Sequence, residues 1–343
     1  MGYAQSEDYF WQVEDNCIRA LGRYAEIHGE SELRSDLLNR MFEITKNSQA
    51  DYQKLDPEYQ RSLAAFAAGI NYYLETHPKT KPRLITEFKP WYGLAMERHF
   101  LMDFSYGRAH AGNPKPDSRY PPRAEPAVVP KEASASDRQS WHYVEEQLSE
   151  LARTAKSSIG SNAWAIGPSK TKSQSTMLMV NPHQPWYGWG QFYEAHVYCP
   201  NEFNFTGACF YGNPIPNMGH NENLGWAYTT NEPDIADAWE IRFDKPNHPL
   251  RYRYGDGYRE AREWRDTVAV KNGSTIEDRT YTFRATHQGP IVRQTNDTTF
   301  IAAQIARLHE IERIYQSFEM LRSRDFDEWR TAFRRCAIPM FNV

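Results

Sequence analysis

Gly160-Ser161-Asn162-Ala163-Trp164-Ala165-Ile166-Gly167 is the stretch at which the chain changes character. Upstream of it, apolar residues recur at steps of three and four. From Ser161 onward they alternate as in half-buried strands. Helices first and strands after imply an α+β protein rather than an alternating parallel α/β sheet. The same stretch sets a hydroxyl residue directly behind a glycine at the start of a predicted strand. Taken alone, Gly-Ser-Asn is an ordinary turn, so its meaning depends on what surrounds it.

Working downstream, the pattern predicts strands over 163–166, 176–180, 191–198, 224–229 and 279–285, separated by Gly, Pro and Asn clusters. Two helices close the chain, over 310–322 and 325–335. Working upstream, residues 108–160 form a spacer. Pro114, Pro116, Pro121, Pro122, Pro126 and Pro130 crowd its first part, and a short amphipathic helix with Val144, Leu148 and Leu151 on one face follows. Residues 1–107 read as helical. Phe10, Val13, Cys17, Leu21 and Tyr24 form one stripe, and Leu33, Leu37, Met41 and Ile44 a second. Asp56 and Pro57 suit the N-cap and first turn of a helix that buries Tyr59, Leu63, Phe66, Ile70 and Tyr73. The domain reading is therefore a helical region 1–107, a spacer 108–160 and a β region 161–343. Residues 1–30 read as the middle of a helical domain and 338–343 as a strand cut short, so the chain is expected to be part of something larger.

Composition narrows the function. The 343 residues carry 40 basic and 44 acidic side chains, a formal net charge of −4. A balance this even supplies no general attraction to nucleic acid or an anionic membrane. Mean hydropathy is −0.77, and no apolar run approaches the ~20 residues of a membrane-spanning helix. Aromatic residues make up 14% of the chain, which suits a large core or a ring-lined pocket. Cys17, Cys199, Cys209 and Cys336 form no CxxC pair; Cys199 and Cys209 could bridge a hairpin, and buried thiols are the other reading. His99, His110 and His142 lack ligand spacing and read as surface residues, and Arg334 and Arg335 as a solvated helix face.

Searches for HExxH, GxSxG, GxGxxG and a phosphate-binding loop find nothing. Several ordered segments stand out instead. Gly160 to Gly167 is followed by Asn181-Pro182-His183-Gln184-Pro185-Trp186, then by Gly219-His220-Asn221-Glu222-Asn223-Leu224-Gly225-Trp226-Ala227-Tyr228-Thr229-Thr230-Asn231. Phe88-Lys89-Pro90-Trp91 precedes the spacer, and Thr286-His287-Gln288-Gly289-Pro290-Ile291-Val292 lies farther on. In this order and spacing they resemble the penicillin acylase family of N-terminal-nucleophile hydrolases, which includes acyl-homoserine-lactone and glutaryl-cephalosporin acylases. The resemblance covers essentially the whole chain.

The resemblance implies a four-layer αββα fold, incomplete at both ends here, with the helical region as part of an α-subunit. It implies that Ser161 attacks the Gly160 carbonyl, that the resulting ester hydrolyses, and that the freed α-amine then serves as base for its own hydroxyl. An α-amine has a pKa of ~7.7–8.0, so a useful fraction is neutral near pH 7. His183 matches a position that touches the nucleophile's surroundings mainly through its backbone; a histidine capping a turn between two prolines is the structural alternative. Thr230 matches a backbone N–H donor to the tetrahedral oxyanion, and Asn342 a side-chain donor to it. Asp234, Ala236 and Asp237 match a structural calcium site of some members, two carboxylates and a carbonyl being the hard oxygen donors calcium prefers; a polar turn is the other reading. Gln184 departs from the family, which presents an aromatic residue there to line the acyl pocket. A polar side chain at that point argues for a polar acyl group such as glutaryl. No organic cofactor is implied. The expected partners are a small-molecule acyl amide and the α- and β-chains of one processed precursor, with a periplasmic or secreted location. The rival expectation is an inactive binding or structural remnant with an aromatic-rich pocket.

Overall fold

The computed structural model describes residues 1–109, 160–184, 186, 188–231 and 233–343. The proline-rich part of the spacer and its expected helix, with His110 and His142, lie outside the described residues.

The helical region is built on α1 (Gly2–Ala20), α2 (Ala25–His28), α3 (Leu33–Met41), α4 (Ile44–Tyr52), α5 (Pro57–Thr76) and α6 (Tyr92–Ala109). Both predicted stripes are inside: Phe10, Val13, Cys17, Leu21 and Tyr24 are buried, as are Leu33, Leu37, Met41 and Ile44. Each such aliphatic side chain taken from water contributes ~1.5–3 kcal/mol. α1 packs against α5 and α6. On α5 the buried face is Tyr59, Leu63, Ala67, Ile70 and Tyr73, with Phe66 half-buried. Pro57 opens α5 as expected, but the Asp56 side chain makes no capping bond; its backbone carbonyl receives the Tyr59 and Gln60 N–H groups instead. Before α6, Asn71 and Phe88 exchange two bonds, Asn71 Nδ2 to Phe88 O at 2.9 Å and Phe88 N to Asn71 Oδ1 at 2.8 Å. That exchange clamps the Phe88-Lys89-Pro90-Trp91 segment onto α5.

The β region holds β1 (Ser161–Ile166) paired with β2 (Met177–Pro182). Next comes a four-stranded sheet of β3 (Phe192–Cys199), β4 (Phe203–Phe210), β5 (Met218–His220) and β6 (Gly225–Trp226). β7 (Thr229–Thr230) is followed by β8 (Ala236–Arg242), the hairpin of β9 (Arg251–Tyr254) with β10 (Gly257–Glu260), and β11 (Arg262–Asn272), β12 (Thr275–Thr286), β13 (Gly289–Gln294) and β14 (Thr299–Ile305). The larger sheet runs β11-β12-β13-β14-β8. α7 (Glu312–Arg322) and α8 (Phe326–Phe333) precede β15 (Phe341–Asn342), which pairs with β7. The expected strands at 163–166, 176–180, 191–198 and 279–285 are present; 224–229 is split between β6 and β7. β4 and the strands of the large sheet other than β12 were not legible in the pattern. In β11 the charged residues of Arg262–Asn272 obscure the alternation, and long cross-strand pairing with β12 holds the strand in place.

Ion pairs of the helical region to β11 and β12, Arg40–Asp266, Glu43–Arg262 and Glu30–Arg279, join the two halves. Two surface assignments are corrected. His99 is buried on α6 beside Trp189, and burial pushes its imidazole down to about 3. Arg335 is not simply solvated: it pairs with Glu312 and Glu319. All four cysteines are free. Cys199 lies opposite Phe203 and Cys209 opposite Tyr193, so the hairpin register keeps the two sulfurs apart.

Candidate active site

Ser161 opens β1, and its position is set by backbone bonding rather than by side-chain burial. The Gly160 carbonyl accepts the His183 N–H at 3.0 Å, and Ser161 Oγ–H donates to the same oxygen at 2.5 Å. A Cβ at position 160 would crowd the imidazole, standing 3.3 Å from His183 Nδ1. The imidazole is held at its other nitrogen, Nε2 lying 3.0 Å from Asn162 Nδ2 and 3.1 Å from Asn181 Oδ1. Asn162 and Asn181 face one another across the β1–β2 ladder. His183 therefore meets the Gly160–Ser161 bond through its main chain, while its side chain braces the hairpin.

Thr230 and Asn342 are over a hundred positions apart in sequence and come together on β7 and β15, where Phe341 lies opposite Thr230 and Asn342 opposite Thr229. The Asn231 N–H donates to Met340 O at 3.1 Å. That bond makes Thr230 and Phe341 a non-hydrogen-bonded pair, so the Thr230 N–H points away from β15. β1 packs beside β7. The turn before β6 is tied by Asn221, whose Oδ1 accepts from Asn223 N and Leu224 N and whose Nδ2 donates to Ser323 O at 2.7 Å. Gly219, at φ +143°, lies where a Cβ would come 2.1 Å from Thr206 O. Much of the Gly219–Asn231 stretch is thus scaffold around Thr230.

Ser161, Pro182 and Gln184 line one cavity together with rings from both halves of the molecule. Phe100 and Phe104 come from α6, Phe192 and Phe210 from β3 and β4, and Tyr228 and Phe341 from around β7 and β15. It encloses about 440 Å³ of empty space, its open mouth included. Phe100 stacks on Phe210 at 4.3 Å, Phe192 on Phe210 at 4.4 Å, and Tyr228 on Phe341 at 5.4 Å. Burial pushes the Tyr228 hydroxyl far above its usual range, so it stays neutral. The polar groups on the wall are few: Ser161, Gln184, Asn217, Arg313 and the Tyr228 hydroxyl. Sequence reading missed Arg313 and the rings of α6, because nothing in a helical stripe reveals which member abuts a strand far along the chain.

A family model described as penicillin amidase matches residues 1–343. The chain belongs to the penicillin amidase family. Its architecture is α+β, as the sequence implied. Penicillin acylase 2 proenzyme of Pseudomonas sp. (strain SE83) is 25% identical over 85% of this chain and 40% of its own length. Aculeacin-A acylase of Actinoplanes utahensis is 37% identical over 39% of this chain and 16% of its own length. Acyl-homoserine lactone acylase PvdQ of Pseudomonas savastanoi pv. phaseolicola is 27% identical over 74% and 33%. The matched region thus spans two fifths or less of the length of these relatives.

Asp234 and Asp237 are exposed, and Ala236 and Asp237 open β8. Among the described residues no group of three or more His, Cys, Asp or Glu could hold a metal ion. Two carboxylates and a carbonyl fall short of the six to eight oxygens calcium takes, so these residues do not by themselves make the site, and no step below runs through an ion. Among the described residues, no helix is long and apolar enough to cross a membrane.

Proposed function

We propose that this chain is the nucleophile-bearing part of an amidohydrolase that cleaves its own Gly160–Ser161 bond and then hydrolyses a linear amide through an acyl ester on Ser161. The contact that carries the reading is at the Gly160 carbonyl, where Ser161 Oγ and the His183 N–H converge on one oxygen. A carbonyl with a backbone donor already on its oxygen is polarised for attack, and the only nucleophile needed sits on the next residue. Oγ adds to the Gly160 carbon, its proton passes to the departing amide nitrogen, and the C–N bond breaks to leave an ester. Breaking that bond frees the Ser161 α-amine; water then hydrolyses the ester, releasing the Gly160 carboxylate and restoring the Ser161 hydroxyl.

In the second reaction that α-amine accepts the Oγ proton as Oγ attacks the substrate amide. The oxyanion is received by the Thr230 N–H, which faces away from β15, and by the Asn342 side chain on β15. Losing one such donor typically slows turnover ~10²–10³-fold. The protonated amine returns its proton to the leaving nitrogen, and water resolves the acyl-enzyme. The ring-lined cavity beside Ser161 is the place for the acyl group, and Gln184 on its wall favours one that carries a hydrogen-bonding atom. The partners are the acyl amide and the two chains of the processed precursor, and a periplasmic or secreted location fits the relatives' chemistry. Mass spectrometry of the complete gene product tests the reading. Two chains divided between Gly160 and Ser161 are expected; a single intact chain with full amidase activity would overturn it.

A further inference from the structure

The cavity holds a charge that neither maturation nor amide hydrolysis uses. Arg313, on the first turn of α7, is only 13% exposed in its side chain, and its Nε pairs with Glu97 of α6, itself 8% exposed. Glu97 is fixed in turn by Asn213, whose Nδ2 donates to Glu97 Oε1 at 2.6 Å. The other end of the guanidinium lies at the cavity wall, with Nη1 3.9 Å from the Met340 sulfur. A thioether is a weak acceptor, whereas a guanidinium has five N–H donors. The rest of the wall is mostly aromatic and thioether, and its other polar groups, Ser161, Gln184, Asn217 and the Tyr228 hydroxyl, are uncharged.

From this arrangement we infer that Arg313 is a specificity-determining residue: it binds an uncharged oxygen acceptor, a ketone or hydroxyl, on the acyl chain, and it disfavours a terminal carboxylate. The proposal rests on the acyl group occupying this cavity, and it refines the broader expectation of a polar acyl group. The reason is charge balance. Glu97 already neutralises Arg313, so a neutral acceptor gains a charge-assisted bond at no cost in net charge. A carboxylate would bury a second negative charge against one guanidinium, in apolar surroundings that do not compensate it. Glu97 is a positioning residue here, because it acts on the acyl group through Arg313.

A matched set of 4-nitroanilides isolates the effect: hexanoyl, its oxo derivatives stepped over C3, C4 and C5, and glutaryl, which has the outline of 5-oxohexanoyl with a carboxylate at the end. In the complete, processed protein the best oxo substrate should exceed hexanoyl about tenfold in kcat/KM, and glutaryl should rank below it. Arg313→Met alone strands Glu97 and can destabilise the fold, so the informative variant is Arg313→Met with Glu97→Met. In that variant the oxo preference should fall to within about twofold of hexanoyl. Glu97→Gln leaves Arg313 uncompensated and should raise glutaryl relative to the oxo substrate. Calorimetric binding of the corresponding N-butyl amides is read on the same proteins. Oxo-selective binding that vanishes in the double variant, without hydrolysis, would sink the hydrolase reading and keep this one. Wild-type preference for glutaryl over every oxo substrate, or an unchanged oxo preference in the double variant, would overturn the assignment of Arg313.

Discussion

The α1–α6 layer and the β1–β2 hairpin are both rich in apolar residues, and the structure treats them in opposite ways. In the helical layer Val13, Ile18, Leu33 and Ile44 are fully buried. In the hairpin Trp164, Ile166, Met177 and Met179 are each at least 40% exposed. The hairpin's place is instead held by its ladder, by the His183 N–H on Gly160 O, and by Asn162, His183 and Asn181 bridging its strands. Stability resides in the layer, where side chains interlock. On the proposed reading the chemistry belongs to the hairpin, where a main-chain carbonyl is held within reach of a hydroxyl.

The sharpest way to break this division is at Ser161. Ser161→Ala should leave an unprocessed chain with no amidase activity and an unchanged melting temperature, read by mass spectrometry, a chromogenic amide and calorimetry. Normal processing would refute the assignment. The complementary change is in the layer. Phe42→Ala removes one of its fully buried rings and should cost ~3–5 kcal/mol in chemical denaturation while leaving the order of substrate preference alone. Trp164→Ala, on the hairpin, should cost no more than about 0.5 kcal/mol; a loss as large as that of Phe42→Ala would erase the contrast.

A smaller effect is expected at the cavity wall. Gln184→Phe should move the kcat/KM ratio toward phenylacetyl or plain aliphatic amides by roughly 5–150-fold, the worth of ~1–3 kcal/mol for a polar group left without its partner. An identical preference order in wild type and variant would take Gln184 out of the pocket's specificity. The most gradual effect is with pH, and it belongs to the layer. Folding holds His99 neutral down to about 3, against 6.5 for the free group. As pH falls below 6.5 the unfolded chain takes up this proton and the folded one does not, so His99's stabilisation is complete above 6.5 and is lost progressively toward 3. Asp36 works in the other direction: burial raises its carboxyl to about 7 from 3.8, so its contribution is complete below 3.8 and is lost as pH rises through 7. His99→Gln should remove the first dependence. The difference between wild type and variant, followed by urea titration, should slope by about 1.4 kcal/mol per pH unit below 6.5 and flatten above it. A flat difference from pH 4 to 8 would mean that His99 is not shielded from water.

Part of this was legible without a structure. The helical stripes of α1, α3 and α5 follow from a 3.6-residue period that needs no partner to be seen. Ser161 was legible because a glycine, a hydroxyl and a strand start are local, and the motifs of the family repeat in order around them. The same local pattern misplaced His99: an isolated histidine inside a helix carries no sign of which side the neighbouring sheet will cover.

What the amino-acid sequence determined alone is the change from helices to strands and the family; it also nominated Ser161 as the residue of the proposed attack. The tertiary structure decided which side chains meet at that residue. Thr230 and Asn342 become neighbours only through the β7–β15 register, and the bond from Asn231 to Met340 is what turns the Thr230 N–H away from its partner strand. Arg313 stands at the cavity wall with its guanidinium paired to Glu97, on a helix far upstream in the chain. Local propensity and periodicity act over a few residues, whereas register and charge pairing are settled between segments hundreds of residues apart, when the core closes and each buried donor must find an acceptor.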